Sequence, residues 1–333
     1  MPSFSNTRYS ILDLATVIEG CTPADSFRNS LSLAQHAEKL GYSRYWLAEH
    51  HNMASVASSA TSVLVGYIAG GTQSIRVGSG GIMLPNHAPL LVAEQFGTLE
   101  SLYPGRIDLG LGRAPGSDQH TAMAIRGRNF GAEHHFIEDI KTLQTLFSKE
   151  NCDAKLRAIP GEGLQVPLWI LGSSTDSARV AASLGLPYAF ASHFAPAMFM
   201  DAIRLYRSLF KPSAILQKPY VIACINVVAA DTDLDAARLA TSLQQLFIGI
   251  ILGRRQLLQP PIDNMATIWT PETAAAVGQM LTYSFTGSKQ QLSTLLAAFI
   301  EDTGVNEIMA TSHIYNHEAR LHSYSLLAEI MGN

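Results

Sequence analysis

Cysteine is scarce. The 333 residues contain three, Cys21, Cys152 and Cys224, far apart and never in a C-x-x-C pair. That spacing argues against a disulfide framework or a thiolate metal site and predicts reduced thiols. Charge is sparse too, at 15% of residues, with 27 acidic against 23 basic side chains, a net charge of -4 and no Lys/Arg block. Such a chain offers no electrostatic footprint for nucleic acid or an anionic membrane, so small-molecule partners are expected. No apolar run reaches the ~18 residues needed to span a bilayer. Met1 to Ser10 lacks a basic segment followed by an apolar one, so a cytoplasmic location is expected. The 11 histidines show neither H-E-x-x-H nor other metal-ligand spacing, and no metal is expected.

What the chain has in quantity is apolar residues, 47% of the total. A chain of this length and composition can bury roughly three quarters of its unfolded surface. Short apolar runs alternate with amphipathic stretches in about eight units, the signature of strand-helix repeats around a parallel sheet. Candidate strands are Tyr9 to Leu14, Arg44 to Leu47, Ile75 to Gly78, Arg106 to Leu111, Leu168 to Leu171, Tyr188 to Ala191, Tyr220 to Val228 and Glu307 to Ala310. Pro23 at a helix start and Gly41 just past its end bracket the first helix, Pro23 to Leu40. Two stretches break the rhythm. Asn151 to Val166, around Pro160-Gly161, predicts a hairpin or loop. Residues 251–287, with Pro260-Pro261 and Pro271 and few regular apolar repeats, are either a lid over the barrel mouth or a surface helical excursion. No linker divides the chain, so a single domain over 1–333 is expected.

Four constellations carry candidate chemistry. In Glu49-His50-His51 an apolar strand runs into a carboxylate and two imidazoles. Side chains alternate along a strand, so His50 and His51 should diverge and cannot easily share a metal. Either one is an acid, base or hydrogen donor, or the pair is structural. In Gly78-Ser79-Gly80-Gly81, glycine closes a predicted strand, which marks a sharp turn or a flat ligand lying on main chain. In Gly105 to Gly116, alternation puts Asp108, Gly110 and Gly112 on one face and leaves space there. It is no dinucleotide fingerprint, because the last position of a G-x-G-x-x-G register starting at Gly110 is Pro115. Arg113 at its rim is a candidate anion ligand or an ordinary surface pair. Finally, Gly172-Ser173-Ser174-Thr175-Asp176-Ser177 leads from a strand into a helix, where free amides and hydroxyls suit an anion or simply cap the helix. With neighbouring strands, Arg113, Ser174 and Ser177 would converge on one anion.

These motifs together resemble the bacterial luciferase-like, flavin-dependent monooxygenases. W-L-A-E-H-H, V-G-S-G-G-I-M-L-P, A-E-Q-F, G-R-I-D-L-G-L-G-R and G-S-S-x-x-S-A follow the family's order over about residues 9 to 195. The nearest likeness is to its single-subunit members. The resemblance implies an α/β fold, a (β/α)8 TIM barrel with insertions, binding FMN at the carboxyl ends of its strands. It implies that FMNH2 comes from a separate reductase and reacts with O2 through a flavin C4a-peroxide to oxygenate a small organic, possibly carbonyl-bearing, substrate. By motif position, His50 matches the catalytic histidine, and Arg113, Ser174 and Ser177, with Ser173 beside them, match phosphate ligands. Gly80 and Gly81 match a cis peptide under the flavin ring. Glu49 and Glu94 match acidic residues near the site, and His193 matches a ring beside the flavin. His51, Asn86 and His87 fall on the substrate side. A homodimer through barrel helices is the family-level expectation. The chain departs from the light-emitting subunit at Gly112 and Ser173, where that subunit has a cysteine and an acidic residue. Two other readings stay open: an F420-dependent hydride-transfer oxidoreductase on the same barrel, and a flavin-binding protein without catalysis.

Overall fold

The structure is a computed structural model that describes residue 4 and residues 6–114, 116–127, 130–131, 135–254 and 256–332. The first half of the chain runs β1 (Arg8–Asp13), α1 (Pro23–Lys39), β2 (Arg44–Leu47), α2 (Thr61–Gly70), β3 (Arg76–Met83), α3 (Pro89–Leu102), β4 (Ile107–Gly112), α4 (Gln119–Arg126) and α5 (Phe136–Phe147). Then follow β5 (Leu168–Gly172), α6 (Thr175–Leu184), β6 (Tyr188–Phe190), α7 (Phe199–Leu209), β7 (Val221–Ala229) and α8 (Asp233–Ile251). Last come α9 (Pro271–Met280), β8 (Ser284–Gly287), α10 (Lys289–Thr303), β9 (Glu307–Thr311) and α11 (His317–Met331).

Among the described residues all strand pairs are parallel, and β6 pairs with β7 while β9 pairs back to β1, so eight strands close into a barrel. This is the expected (β/α)8 architecture. Local chemistry makes the units. Thr22 caps α1 in a capping box with Asp25, Pro23 opens the helix, and Gly41 follows its end at φ +78°. Alternation then sorts β2: Tyr45 and Leu47 join the core under the helices, while Trp46 and Ala48 fill the barrel interior with Trp169, Ile222 and Met309. A buried ionic plug seals the amino end. Arg44 donates to Asp108 Oδ2 at 2.7 Å and to Glu307 Oε1 at 2.8 Å, and Arg76 Nη2 donates to Asp108 Oδ1 at 2.6 Å. Asp108, on the face that the sequence left open, is therefore structural. The open end is at the strands' carboxyl termini, where ligands bind in such barrels.

Two elements differ from expectation. The third strand runs on to Met83 instead of ending at Gly78, because its glycines continue the strand in close packing. A Cβ on Gly80 would lie 2.8 Å from Leu12 Cδ1 and 3.0 Å from Trp46 Cβ. The segment 251–287, read as a lid or a surface helical excursion, contains a helix, α9, and also a strand, β8, that was not expected. Pro271 stands in the first turn of α9, where its missing N–H costs nothing, and Thr270 caps the helix. β8 pairs with Asn226–Ala229, the end of β7 that extends beyond the ring.

Candidate active site

A cavity of about 280 Å³ opens at the carboxyl end of the barrel. Its walls come from β1, β2, β3, β4 and β5 and the loop after β6: Leu12, Ala48, Gly80, Gly112, Leu171 and His193 among them. One end gathers groups that could hold an anion. Arg113 leaves β4 there, and Ser173, Ser174 and Ser177 line it at the start of α6. Ser174 holds the N-cap position of α6, yet its hydroxyl makes no capping hydrogen bond. The first-turn amides and the helix dipole therefore remain available to a ligand. Ser177 Oγ donates to Ser174 O at 2.8 Å and lies 2.9 Å from the Tyr188 hydroxyl. Gly172 has to be glycine: a Cβ there would sit 2.0 Å from Ser177 Oγ. Arg113 is exposed and pairs with Asp176 at 3.2 Å, an interaction that a bound anion could readily replace.

His50 stands where this cavity meets a second one of about 510 Å³, and with Gly116 it lines both. Its Nδ1 lies 3.2 Å from the Gly116 carbonyl. A carbonyl only accepts, so Nδ1 carries the proton and Nε2 keeps its lone pair. Burial pulls the His50 imidazole below its ordinary value, opposed by the Gly116 hydrogen bond and the Glu49 charge. It is neutral at neutral pH. His193 is neutral as well, driven down to about 3 by burial and by His313 and His50 nearby, and its Nδ1 is buried without a hydrogen-bond partner among the described residues.

His50 and His51 lie past the end of β2 and both line the larger cavity, but they have different partners. Glu49 is 1% exposed, and its carboxylate accepts from His51 Nε2 at 2.9 Å, His87 Nε2 at 2.9 Å and the Met83 amide at 3.0 Å. Burial raises the Glu49 pKa, and the hydrogen bonds with the His87 charge outweigh it, leaving the carboxyl below its ordinary value. Glu49 and His87 line neither cavity; His51 lines the larger one. Asn86 accepts from Arg126 Nε at 3.0 Å, away from both cavities. Glu94 lies on α3, half-buried, also outside them. Gly80 lines the smaller cavity, and the Gly80–Gly81 peptide is cis.

Sequence reasoning passed over several participants. The Gly116 carbonyl orients His50, and the Tyr188 hydroxyl braces the Ser174–Ser177 turn at 3.1 and 2.9 Å. Asn226 Nδ2 holds the His193 carbonyl at 2.6 Å. Tyr188 and Asn226 were legible as strand residues but not by role, since their partners lie 11 to 33 residues away.

A closed parallel barrel with a histidine-lined cavity at the carboxyl ends of its strands has the architecture of a barrel enzyme. The sequence profile of the luciferase-like monooxygenases matches residues 7–311, and the chain belongs to that family of oxidoreductases. A luciferase-like monooxygenase of Escherichia coli strain K12 is 52% identical, over 97% of this chain and 96% of its own. N-acetyl-S-alkylcysteine monooxygenase of Bacillus subtilis strain 168 is 32% identical over 97% of each. Among solved structures, apo-MsnO8 superposes with a TM-score of 0.86 at 33% identity, over 98% of each chain. The oxygenating constituent of 3,6-diketocamphane monooxygenase from Pseudomonas putida, solved with FMN, gives 0.71 at 16% identity over 97% of each. An F420-dependent secondary alcohol dehydrogenase gives 0.68 at 14%, over 98% of this chain and 99% of its own. These last two likenesses are of fold alone.

Proposed function

We propose that the protein is an FMN-dependent, two-component monooxygenase that takes reduced FMN from a separate reductase and oxygenates a small organic substrate with O2. The observation that carries this reading is His50 at the junction of a cavity with an anion end and a larger apolar chamber. The residues present fit FMN. Arg113, Ser173, Ser174, Ser177 and the α6 amides would hold its phosphate, and Gly80 with Leu12 and Leu171 offers flat apolar walls for its ring. The unpartnered Nδ1 of His193 offers a further polar contact. Bound reduced FMN supplies the electrons that activate oxygen.

The chain's own groups do the rest. His50, held through Nδ1 by Gly116, presents Nε2 as a base that takes a proton in the site or returns one. Glu49 anchors His51 and His87 and so fixes the wall beside His50. Arg113 is the one cation among the described residues lining the smaller cavity. One cation suits a single phosphate better than the polyanionic tail of F420, which favours FMN over the hydride-transfer reading.

In this reading the chain is one barrel domain, and Gly253, Arg254 and Gln256 of the 251–287 segment close over the larger chamber. The protein works as a homodimer packed through α2 and α3. Helix α2 contains no charged residue and exposes Val63 at 69%, and α3 exposes Leu102 at 62%. Sedimentation equilibrium that returns only the monomer mass rejects the dimer. The function is tested by titrating FMN and F420 against flavin fluorescence. Oxygen uptake is then followed with a flavin reductase and NADH over a panel of thioethers and ketones. Tight FMN binding with substrate-stimulated, His50-dependent product formation is expected. No FMN binding, or equal turnover in His50→Ala, rejects the assignment.

A further inference from the structure

The chamber beyond His50 has a mainly apolar wall, with Met53, Leu246 and Ile250, and one arginine among the described residues that line it. That arginine, Arg254, is exposed and its side chain has no ion-pair or hydrogen-bond partner among the described residues. It is nonetheless held in place. Gly253, at φ +64°, ends α8 in a left-handed turn. The Gly253 amide donates to Ile250 O at 3.2 Å and the Arg254 amide to Gly249 O at 2.7 Å. These are the two bonds of a Schellman motif, so the Arg254 backbone is fixed to the helix end while its guanidinium stays unassigned.

The bland role for such an arginine is to neutralise the last carbonyls of α8. Two of those carbonyls are already taken by the Gly253 and Arg254 amides, and the guanidinium bonds to none of them. Other charged groups facing the chamber are engaged. Asp118 caps α4, accepting from the Thr121 amide at 2.9 Å, and His51 is turned to Glu49. Among the described residues that line the chamber, the unsatisfied charge is therefore positive and single, set over an apolar wall.

We infer that this chamber takes a substrate bearing one carboxylate on a short apolar body, with Arg254 holding the carboxylate at the mouth and the reacting end at His50. A guanidinium fork matches a carboxylate in bidentate geometry. The start of α4 beside this chamber is already capped by Asp118, so a phosphate would lack here the uncapped helix amides found beside Arg113. The inference rests on the flavin reading for what happens at His50, but the carboxylate preference can be measured without it.

The test is isothermal titration of the whole protein with sodium hexanoate and with hexanamide, its uncharged counterpart, at low salt. Wild type, Arg254→Gln and Arg254→Lys are compared, and FMN affinity is followed separately by fluorescence. Wild type should bind hexanoate about tenfold more tightly than hexanamide. Arg254→Gln should lose that ratio with its FMN affinity unchanged, and Arg254→Lys should keep part of it. Equal binding of acid and amide by wild type, or a ratio that survives in Arg254→Gln, overturns the inference. So does an Arg254→Gln protein whose FMN affinity falls in step, since Arg254 would then serve the cofactor. If FMN fails to bind wild type while the hexanoate preference holds, the flavin reading falls and the carboxylate site stands.

Discussion

Replacing Glu49 with glutamine removes one charge and keeps the volume, in a place where the structure leaves no slack. The carboxylate accepts three hydrogen bonds, from His51 and His87 at 2.9 Å and from the Met83 amide at 3.0 Å. A glutamine has one acceptor oxygen, so its amide nitrogen must face a donor. A buried donor left without an acceptor costs ~1–3 kcal/mol, and loss of charge assistance in the remaining bonds adds ~1 kcal/mol. Glu49→Gln should therefore lower stability by about 2–4 kcal/mol at pH 7. The cost depends on pH. The folded-state pKa of Glu49 is depressed below its ordinary 4.5, so its contribution is fully present above that value. It disappears as pH falls through the folded-state value. Urea unfolding followed by tryptophan fluorescence at pH 7, and down the acid limb to about pH 3, reads both quantities. A difference under about 0.5 kcal/mol at pH 7, or one constant across the acid limb, refutes the clamp.

Three other outcomes are expected. His50→Ala should reduce turnover by about 10²–10⁴ with FMN affinity nearly unchanged. Because burial lowers the His50 pKa from 6.5, the wild-type acid limb should lie below that pH and vanish in the variant, as a pH-rate profile would show. Arg113→Ala should weaken FMN about tenfold and leave riboflavin binding unchanged, read by fluorescence titration in low and high salt. Arg44→Met would leave Glu307, 0% exposed, without its ion-pair partner and should cost ~3–5 kcal/mol of stability. FMN affinity at the other end of the barrel should not change, and a parallel loss of FMN binding by the folded variant would contradict the separation of plug and site.

Local pattern carried much of this protein into view. The strand-helix rhythm located the eight ring strands, because a strand buried on both faces must be apolar over a short run and a covering helix must repeat its apolar face. The strand β8 escaped, since its four residues fall in a segment read as a lid or a helical excursion. The expected divergence of His50 and His51 is not seen, because β2 ends at Leu47 and both residues line the larger cavity. The family motifs pointed to the neighbourhood of Arg113, Ser174 and Ser177, which the barrel brings to one cavity end.

Partnership was beyond the sequence. Nothing local joins Glu49 to His87, 38 positions on, or His50 to the carbonyl of Gly116, 66 positions on. Those pairs exist because closing the barrel carries the loops after β2, β3 and β4 to one rim. They decide the proton on His50 Nδ1 and the ionisation of Glu49. The sequence by itself determined the class of fold, the faces of its strands and the residue types available for chemistry. Tertiary structure decided which of them face a ligand and which, like Glu49 and Asp108, are buried in holding others. Hydrogen bonding and desolvation depend on distances that chain order does not encode.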